Sequence, residues 1–431
     1  MPLVIPESLR LPLAAPVAVL GGGVSGRGAT ALLASLGAAA IVYDAAGREF
    51  TVAAAAAAGH RLAVFSPGFA PGHPWLARAR AAGCACWSEL DFASAFWRGR
   101  IVAVTGTNGK TTLCEFLVHA LRAIGRPARA TGNIGFPLSQ WVADLGGGDP
   151  SVTAVCEVSS FQAEALAHFR AEATLWTNFA EDHLDRHGSL AAYAAAKAAL
   201  VARTARGRWF AGPSVPPALA CLGLSVPPAT AVVAADSPGD PALAGTVFAA
   251  PPQRENFLLA AAWWRAEGLD PAALTAAAAS FRLGRHRLAR VAEIGGVTYW
   301  NDSKATNFHA VEAALAGLRG PVSLIAGGRS KGGDLAGFVE RIAPRLDRIF
   351  LLGETRAALA AASAAAGLAH EVCPSLEAAV QAAARAAEPG SHVLLSPGFA
   401  SFDLFRSYED RGDRFERAVA SLPDVPARLF R

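Results

Sequence analysis

The chain has 431 residues, too many for one ordinary core, so two to three domains are expected. Hydrophobic residues make up 52% and charged ones 17%, which argues against an extended disordered chain and fits a compact soluble protein. The net charge of +4 is spread out with no arginine-lysine block, so small anionic substrates suit it and nucleic acid does not.

Near the start, the apolar run from Leu11 to Leu20 follows Glu7 and Arg10, contains Pro12 and Pro16, and ends in a glycine turn. That is unlike a signal peptide, and no 18-residue apolar stretch free of turn residues suggests a membrane span. Residues 17 to 44 read as a strand, a glycine turn, a helix over Ala29 to Leu36, and a second strand ending at Asp44. Gly21, Gly23 and Gly26 with Asp44 make the dinucleotide fingerprint. Physically it supports a diphosphate on a helix N-terminus and a ribose or base edge near Asp44, so a nucleoside diphosphate serves as well as NAD. Val64 to Gly68 repeats the strand-to-turn form and points to the same crevice.

Ile101 to Thr112 carries the most chemistry. A short apolar strand meets Gly106-Thr107-Asn108-Gly109, and Lys110-Thr111-Thr112 opens a helix. Loop amides and the helix N-terminus suit phosphate, Lys110 neutralises it, and the Thr111 hydroxyl suits magnesium. Val104 stands where the phosphate-loop pattern has its first glycine. Glu157 follows at the carboxyl end of an expected strand, 152 to 158, where magnesium is usually held. Thr177-Asn178-Phe179 and then Glu181, Asp182, His183, Asp185 and His187 are too rich in chemistry for a plain turn. Lys197 sits in an alanine-rich helix expected from Ser189 to about Ala205, where pattern alone predicts a solvated lysine. The proline- and alanine-rich stretch from 211 to 252 predicts short strands and loops. Two helices follow, over Asn256 to Ala266 and Pro271 to Phe281. A hairpin is expected around Gly295-Gly296, then a helix opening at Asn301 to Asn307. Strand-turn units at 322–328, 349–353 and 392–398 complete a third parallel, doubly wound sheet. Six cysteines with no CxxC pair predict neither a zinc ribbon nor a disulfide framework and suit a reducing compartment. The expected division is therefore 1–95, 96–283 and 284–431.

The order of these motifs resembles the ATP-dependent Mur ligases over essentially the whole chain. The motifs are Gly-Gly-Gly-Val-Ser-Gly at 21–26, Ser-Pro-Gly at 66–68, Gly-Thr-Asn-Gly-Lys-Thr-Thr at 106–112 and Gly-Asn-Ile-Gly at 132–135. Further on come Glu-Val-Ser-Ser-Phe-Gln at 157–162, Asp-His-Leu-Asp-Arg-His at 182–187 and Asn-Asp-Ser-Lys-Ala-Thr-Asn at 301–307. Gly-Gly-x-x-Lys at 327–331 and Ser-Pro-Gly-Phe-Ala-Ser-Phe-Asp-Leu-Phe at 396–405 complete the set.

The resemblance implies a Rossmann-like N-terminal domain, a central phosphate-loop ATPase domain and a C-terminal doubly wound Rossmann-like domain. It implies a soluble cytoplasmic monomer that adds D-glutamate to UDP-N-acetylmuramoyl-L-alanine through an acyl phosphate, with no membrane partner. Val24, Ser25, Asp44, Pro67 and Gly68 would hold the UDP half, and Asn133 and Ser159 the muramoyl-alanine path. Thr107, Asn108, Gly109, Lys110, Thr111 and Thr112 would bind ATP phosphates, with Asn256 and Asp302 on adenosine. Thr111 and Glu157 would take one magnesium, and His183 with a carbamylated Lys197 the second. His286, Arg287 and catalytic Lys304 would approach the phosphates or the closing interface, and Thr306, Lys331, Ser401 and Tyr408 would line the glutamate pocket. Three positions depart from the family's pattern. Glu255-Asn256-Phe257-Leu258-Leu259 replaces His-Asn-x-x-Asn, Gly284-Arg285 precedes His286-Arg287 where Leu-Pro is usual, and Tyr408 stands for phenylalanine. The rival readings are another amide ligase of the superfamily, a nicotinamide oxidoreductase built on the first fingerprint, and a catalytically dead binding module, which the full set of Lys110, Glu157, His183 and Lys197 argues against.

Overall fold

The computed structural model describes residues 3–234 and 240–423. Three sheets organise them. The first holds β1 (Val17–Leu20), β2 (Ala40–Tyr43), β3 (Leu62–Phe65) and β4 (Ala85–Ser88), all parallel, in the order β2-β1-β3-β4. The second holds β5 (Arg100–Thr105), β6 (Ala128–Gly132), β7 (Thr153–Glu157), β8 (Ala173–Trp176), β9 (Trp209–Ala211) and β10 (Ala231–Val232), in the order β10-β9-β8-β5-β7-β6. The third holds β11 (Ala289–Ile294), β12 (Val297–Asn301), β13 (Val322–Ala326), β14 (Arg348–Leu351), β15 (His370–Val372) and β16 (His392–Leu395), in the order β11-β12-β16-β13-β14-β15. Only β11 runs antiparallel to its neighbour, because a two-residue Gly295-Gly296 turn, both at positive φ, joins it to β12.

The central strands are buried along their whole length, as helices on both faces of a parallel sheet require. This is why they read as continuous Val, Ile, Leu and Ala runs. The chain divides into two compact units: residues 1–179, 191–246 and 255–281, and residues 180–190, 247–254 and 282–431. The first two sheets share the first unit. One hydrophobic cluster runs through both, from Val17, Leu62 and Val64 to Ala103, Ala154 and Leu200.

Two local expectations change. The stretch from 211 to 252 contains a helix, Val215–Cys221, with its prolines in the first turn, where no intrahelical N–H is needed. Residues 235–239 of that stretch lie outside the described residues. The helix expected from Asn301 begins only at Phe308, capped by Asn307, whose side chain accepts from Ala310 N at 2.9 Å. Residues 302–306 form the loop between β12 and that helix. Among the described residues, no helix is long and apolar enough to cross a membrane.

Candidate active site

β5 delivers the chain into the loop Gly106 to Gly109, and the helix Lys110–Ala123 starts directly after it. Gly106 is at φ +142, and a Cβ there would stand 1.9 Å from Thr177 Oγ1, so the residue that follows β8 packs too closely for any side chain. Lys110 Nζ lies back over the loop and donates to the carbonyls of Gly106 (2.9 Å) and Thr107 (2.7 Å). Thr107 and Thr112 are buried. Asn256 is buried against Gly109: a Cβ on that glycine would meet Asn256 Oδ1 at 2.7 Å. The asparagine retained from the departed His-Asn-x-x-Asn motif thus sits on the phosphate loop. Glu255 beside it is half-buried, and desolvation raises its pKa.

Lys197 overturns the expectation of a solvated lysine. It is 1% exposed, its Nζ donates to Gly106 O at 2.8 Å, and it stands 4.7 Å from the centre of the Tyr193 ring. Tyr193 in turn meets Thr107 Oγ1 through its hydroxyl at 3.2 Å. Two lysines therefore converge on one loop carbonyl. The helix Leu190–Val201 buries one face, with Tyr193, Ala194, Ala196, Lys197, Leu200 and Val201 inside and Ala191, Ala192 and Ala195 exposed. Lys197 shares the face of Tyr193 and Leu200, the large apolar residues that signal which side is buried.

Glu157 ends β7 beside the loop. Thr111 Oγ1 donates to its Oε2 at 2.7 Å and Asn133 Nδ2 to its Oε1 at 2.8 Å. Ser159, two residues on, caps the helix Ser160–Ala165 in a capping box with Gln162. Three expected roles (nucleotide, metal and acceptor path) thus meet at one buried carboxylate. Among the described residues, no group of three or more His, Cys, Asp or Glu side chains is arranged to hold a metal.

The N-terminal glycine turn forms as the fingerprint predicts. Gly22 N donates to Asp44 Oδ2 at 2.7 Å and Ala46 N to Oδ1 at 3.1 Å, and these bonds hold the Asp44 carboxyl below its usual pKa. The helix Val24–Ser35 begins at Val24 and Ser25. The Ser66-Pro67-Gly68 turn lies alongside, with Ser66 Oγ close to Gly21.

In the second compact unit, Asp182 gathers the expected glutamate residues. Lys331 Nζ donates to its Oδ1 at 3.0 Å and Asn307 Nδ2 to its Oδ2 at 3.0 Å. Lys331 also reaches Thr306 Oγ1 at 3.4 Å, and His183 Nε2 stands 3.6 Å from Asp182 Oδ2. Burial opposes ionisation of Asp182, but Lys331, His183 and the two donors outweigh it and keep its pKa low. A pocket opens here, lined by Asp182, His183, Thr306, Lys331 and Phe399 among others. Ser401 is buried nearby in sequence, and Tyr408 sits with Lys304, whose ammonium is 3.8 Å from its ring centre; neither lines that pocket. Asp302 is buried between Ser396 Oγ (2.9 Å) and Leu288 N (3.0 Å), and desolvation pushes its pKa up to about 7. His286, at φ +64, bonds Asn301 Nδ2 at 2.8 Å, and desolvation lowers its pKa. Sequence reasoning missed Arg411, whose buried guanidinium donates to Ser303 Oγ and O and to Phe399 O, tying the 301–307 and 396–401 motifs together. Nothing in its local pattern distinguishes it from the other arginines of its helix.

Residues 104–210 match the family profile described as the Mur ligase middle domain, and residues 286–399 the one described as the Mur ligase glutamate ligase domain. A UDP-N-acetylmuramoylalanine–D-glutamate ligase of Frankia casuarinae is 40% identical, over 94% of this chain and 93% of that relative. The chain belongs to the Mur ligase family. The enzyme of the same name from Mycobacterium avium is 36% identical over 94% of this Mur ligase and 96% of its own length. Two solved structures share the fold. One is the UDP-N-acetylmuramate–alanine ligase MurC of Thermotoga maritima (TM-score 0.57, 16% identity, 95% of this chain and 100% of that one). The other is MurF of the same organism in complex with ADP (TM-score 0.55, 17% identity, 83% and 95%). The three-domain architecture, two Rossmann-like domains flanking a central ATPase domain, is that of the family. Like the family, this Mur ligase is an ATP-dependent enzyme.

Proposed function

We propose that this Mur ligase joins D-glutamate to UDP-N-acetylmuramoyl-L-alanine at the expense of ATP, as a cytoplasmic monomer in peptidoglycan precursor synthesis. The observation that carries the reading is the meeting of Lys110, Thr111, Asn133 and Glu157 at the phosphate loop, in a chain whose curated relatives bear that enzyme's name. In this reading residues 1–95 bind the UDP substrate, 96–283 bind ATP, and 284–431 bind the amino acid.

A carboxylate acylates poorly, so the alanine carboxylate oxygen first attacks the γ-phosphorus and ADP leaves. The glutamate nitrogen then attacks the acyl carbon, loses a proton, and the C–O bond breaks to release phosphate with its electron pair. Lys110 and the helix N-terminus hold the phosphate charge while Val24, Ser25, Asp44, Pro67 and Gly68 anchor the UDP end. Asn133 and Ser159 orient the muramoyl-alanine arm, and Asn256 and Asp302 hold adenosine. Lys331 and Thr306 offer a cation and a hydroxyl to the glutamate side chain from the pocket they line, Ser401 and Tyr408 are assigned to glutamate outside that pocket, and Lys304 is assigned to the phosphates.

Magnesium fits the donors present: the Thr111 hydroxyl and Glu157 carboxylate are hard oxygen ligands already brought within 2.7 Å of each other. Bound there, it neutralises phosphate oxygens. His183 and a carbamylated Lys197 are the proposed holders of a second ion.

Phosphate release tests the reading. It should require UDP-N-acetylmuramoyl-L-alanine, ATP and D-glutamate together, with L-glutamate a poor replacement. Release with L-glutamate equal to that with D-glutamate, or tight calorimetric binding of NAD with none of the UDP substrate, would overturn it.

A further inference from the structure

Thr177 and Asn178 follow β8 and have no part in the reading above, yet they hold the phosphate loop at several points. Asn108 N donates to Asn178 Oδ1 at 2.9 Å. The carbonyl of the same residue accepts from Thr177 Oγ1 at 2.6 Å and from Asn178 Nδ2 at 3.2 Å. Thr107 N donates to Asn178 O at 3.1 Å, and Thr177 N to Thr105 O at 2.9 Å. Thr177 is buried.

We propose that Thr177 and Asn178 are positioning residues for ATP: together they clamp Asn108 by both its N–H and its C=O and fix the peptide planes of the loop. Val104 replaces the first glycine of the ordinary phosphate loop. The carboxamide of Asn178 acts on Asn108 as a neighbouring strand would, engaging donor and acceptor at once. Two loop amides, at 107 and 108, are thereby directed to Asn178. The backbone phosphate donors are then the amides from Gly109 into the first helical turn, which a helix does not use internally. The carbonyls of the loop are likewise turned toward cations and donors: Gly106 O toward Lys110 and Lys197, Thr107 O toward Lys110, Asn108 O toward Thr177 and Asn178. A loop whose carbonyls are all held this way presents none of them to an incoming phosphate, which removes the repulsion that would otherwise oppose binding.

The proposal rests on ATP being the nucleotide at this loop, so calorimetric titration of ATP into the full-length wild type comes first. No binding there would overturn both readings. With wild-type binding in hand, Asn178→Ala should weaken ATP about tenfold, the scale of one or two lost hydrogen bonds. Thr177→Val, which keeps the shape and loses the hydroxyl, should do the same, and Thr177→Ser should restore binding. The KM for the UDP substrate and for glutamate should not move. A merely structural role would lower the melting temperature of both Thr177 variants alike and leave the ATP affinity of the folded protein unchanged. ATP binding at wild-type strength in Asn178→Ala and Thr177→Val, or equal weakness in Thr177→Ser and Thr177→Val, would overturn the positioning role alone.

Discussion

Asp302 shows how one buried carboxyl makes a unit's stability depend on pH. Its pKa is raised from the ordinary 3.8 to about 7 by desolvation, against the opposing pull of Ser396, Leu288 N, Arg287 and Arg411. The folded state therefore keeps a proton that the unfolded chain releases above pH 4. The associated stability is fully present below the unfolded pKa and declines as pH rises through 4 to 7, by up to about 4 kcal/mol. Asp302→Asn keeps the shape and removes this one titration, so its unfolding free energy should fall less over that window than that of the wild type; parallel curves from urea titrations at pH 4, 5, 6 and 7 would contradict this. Asp182 has the opposite sign, since its pKa is depressed, so its contribution is present above its ordinary pKa and lost in acid. None of this titration behaviour was legible in the sequence, because it depends on burial set by distant strands. Lys197 is the instructive contrast. Alanine lines both the buried and the exposed face of its helix, so only the spacing of Lys197 from Tyr193 and Leu200, which share its buried face, distinguishes it from a solvated lysine.

At the scale of an element, the glycine turn after β1 separates two demands that the fingerprint lumps together. A Cβ on Gly26 would fall 1.8 Å from Gly21 O, so that position must be glycine for helix Val24–Ser35 to pack against the turn. A Cβ on Gly23 would meet nothing within 4 Å, and its φ of −68° suits any residue. The fold therefore does not require glycine at 23, and in the proposed reading its place is the approach of the UDP diphosphate. Gly26→Ala should lose about 3 kcal/mol of stability, the cost of a forced overpacking. Gly23→Ala should fold normally and bind the UDP substrate roughly tenfold more weakly, a difference of one step in affinity. Thermal melts and calorimetry on the two variants give the comparison, and a stable Gly26→Ala would refute the packing argument. Turns and strands such as this one were legible because they are local: four apolar residues, a glycine spacing and an acid at a fixed distance. The pairing of Asp182 with Lys331, or the hold of Asn178 on Asn108, joins residues 149 and 70 positions apart, and no local pattern carries that information.

For the whole molecule, the first two sheets share one compact unit, and the short helix Glu89–Ser94 is one of the elements between them, with two buried acids that do opposite things. Asp91 accepts three backbone amides from the segment before β8: Ala167 N at 2.9 Å, His168 N at 3.0 Å and Phe169 N at 2.8 Å. Trp87 at the end of β4 stacks on His168 with ring centres 3.8 Å apart, so both residue types hold the same segment against the first sheet. Glu89, two residues earlier, accepts the backbone N–H of Ser139 at 2.8 Å, and burial raises its pKa despite that bond. Removing Asp91 leaves three amides without their acceptor, so Asp91→Ala should cost about 3 kcal/mol or more. Glu89 is the reverse case. Its folded form holds a proton beyond the ordinary carboxyl range, so its contribution to stability is full below that range and falls as pH rises above it. Glu89→Gln keeps an oxygen for Ser139 N and carries no charge at any pH. It should therefore match the wild type in mild acid and be the more stable protein above neutrality, and calorimetric melts at pH 5 and pH 8 measure the gap. A gap that closes or changes sign at pH 8 would mean that Glu89 is ionised in the fold and held by partners other than Ser139.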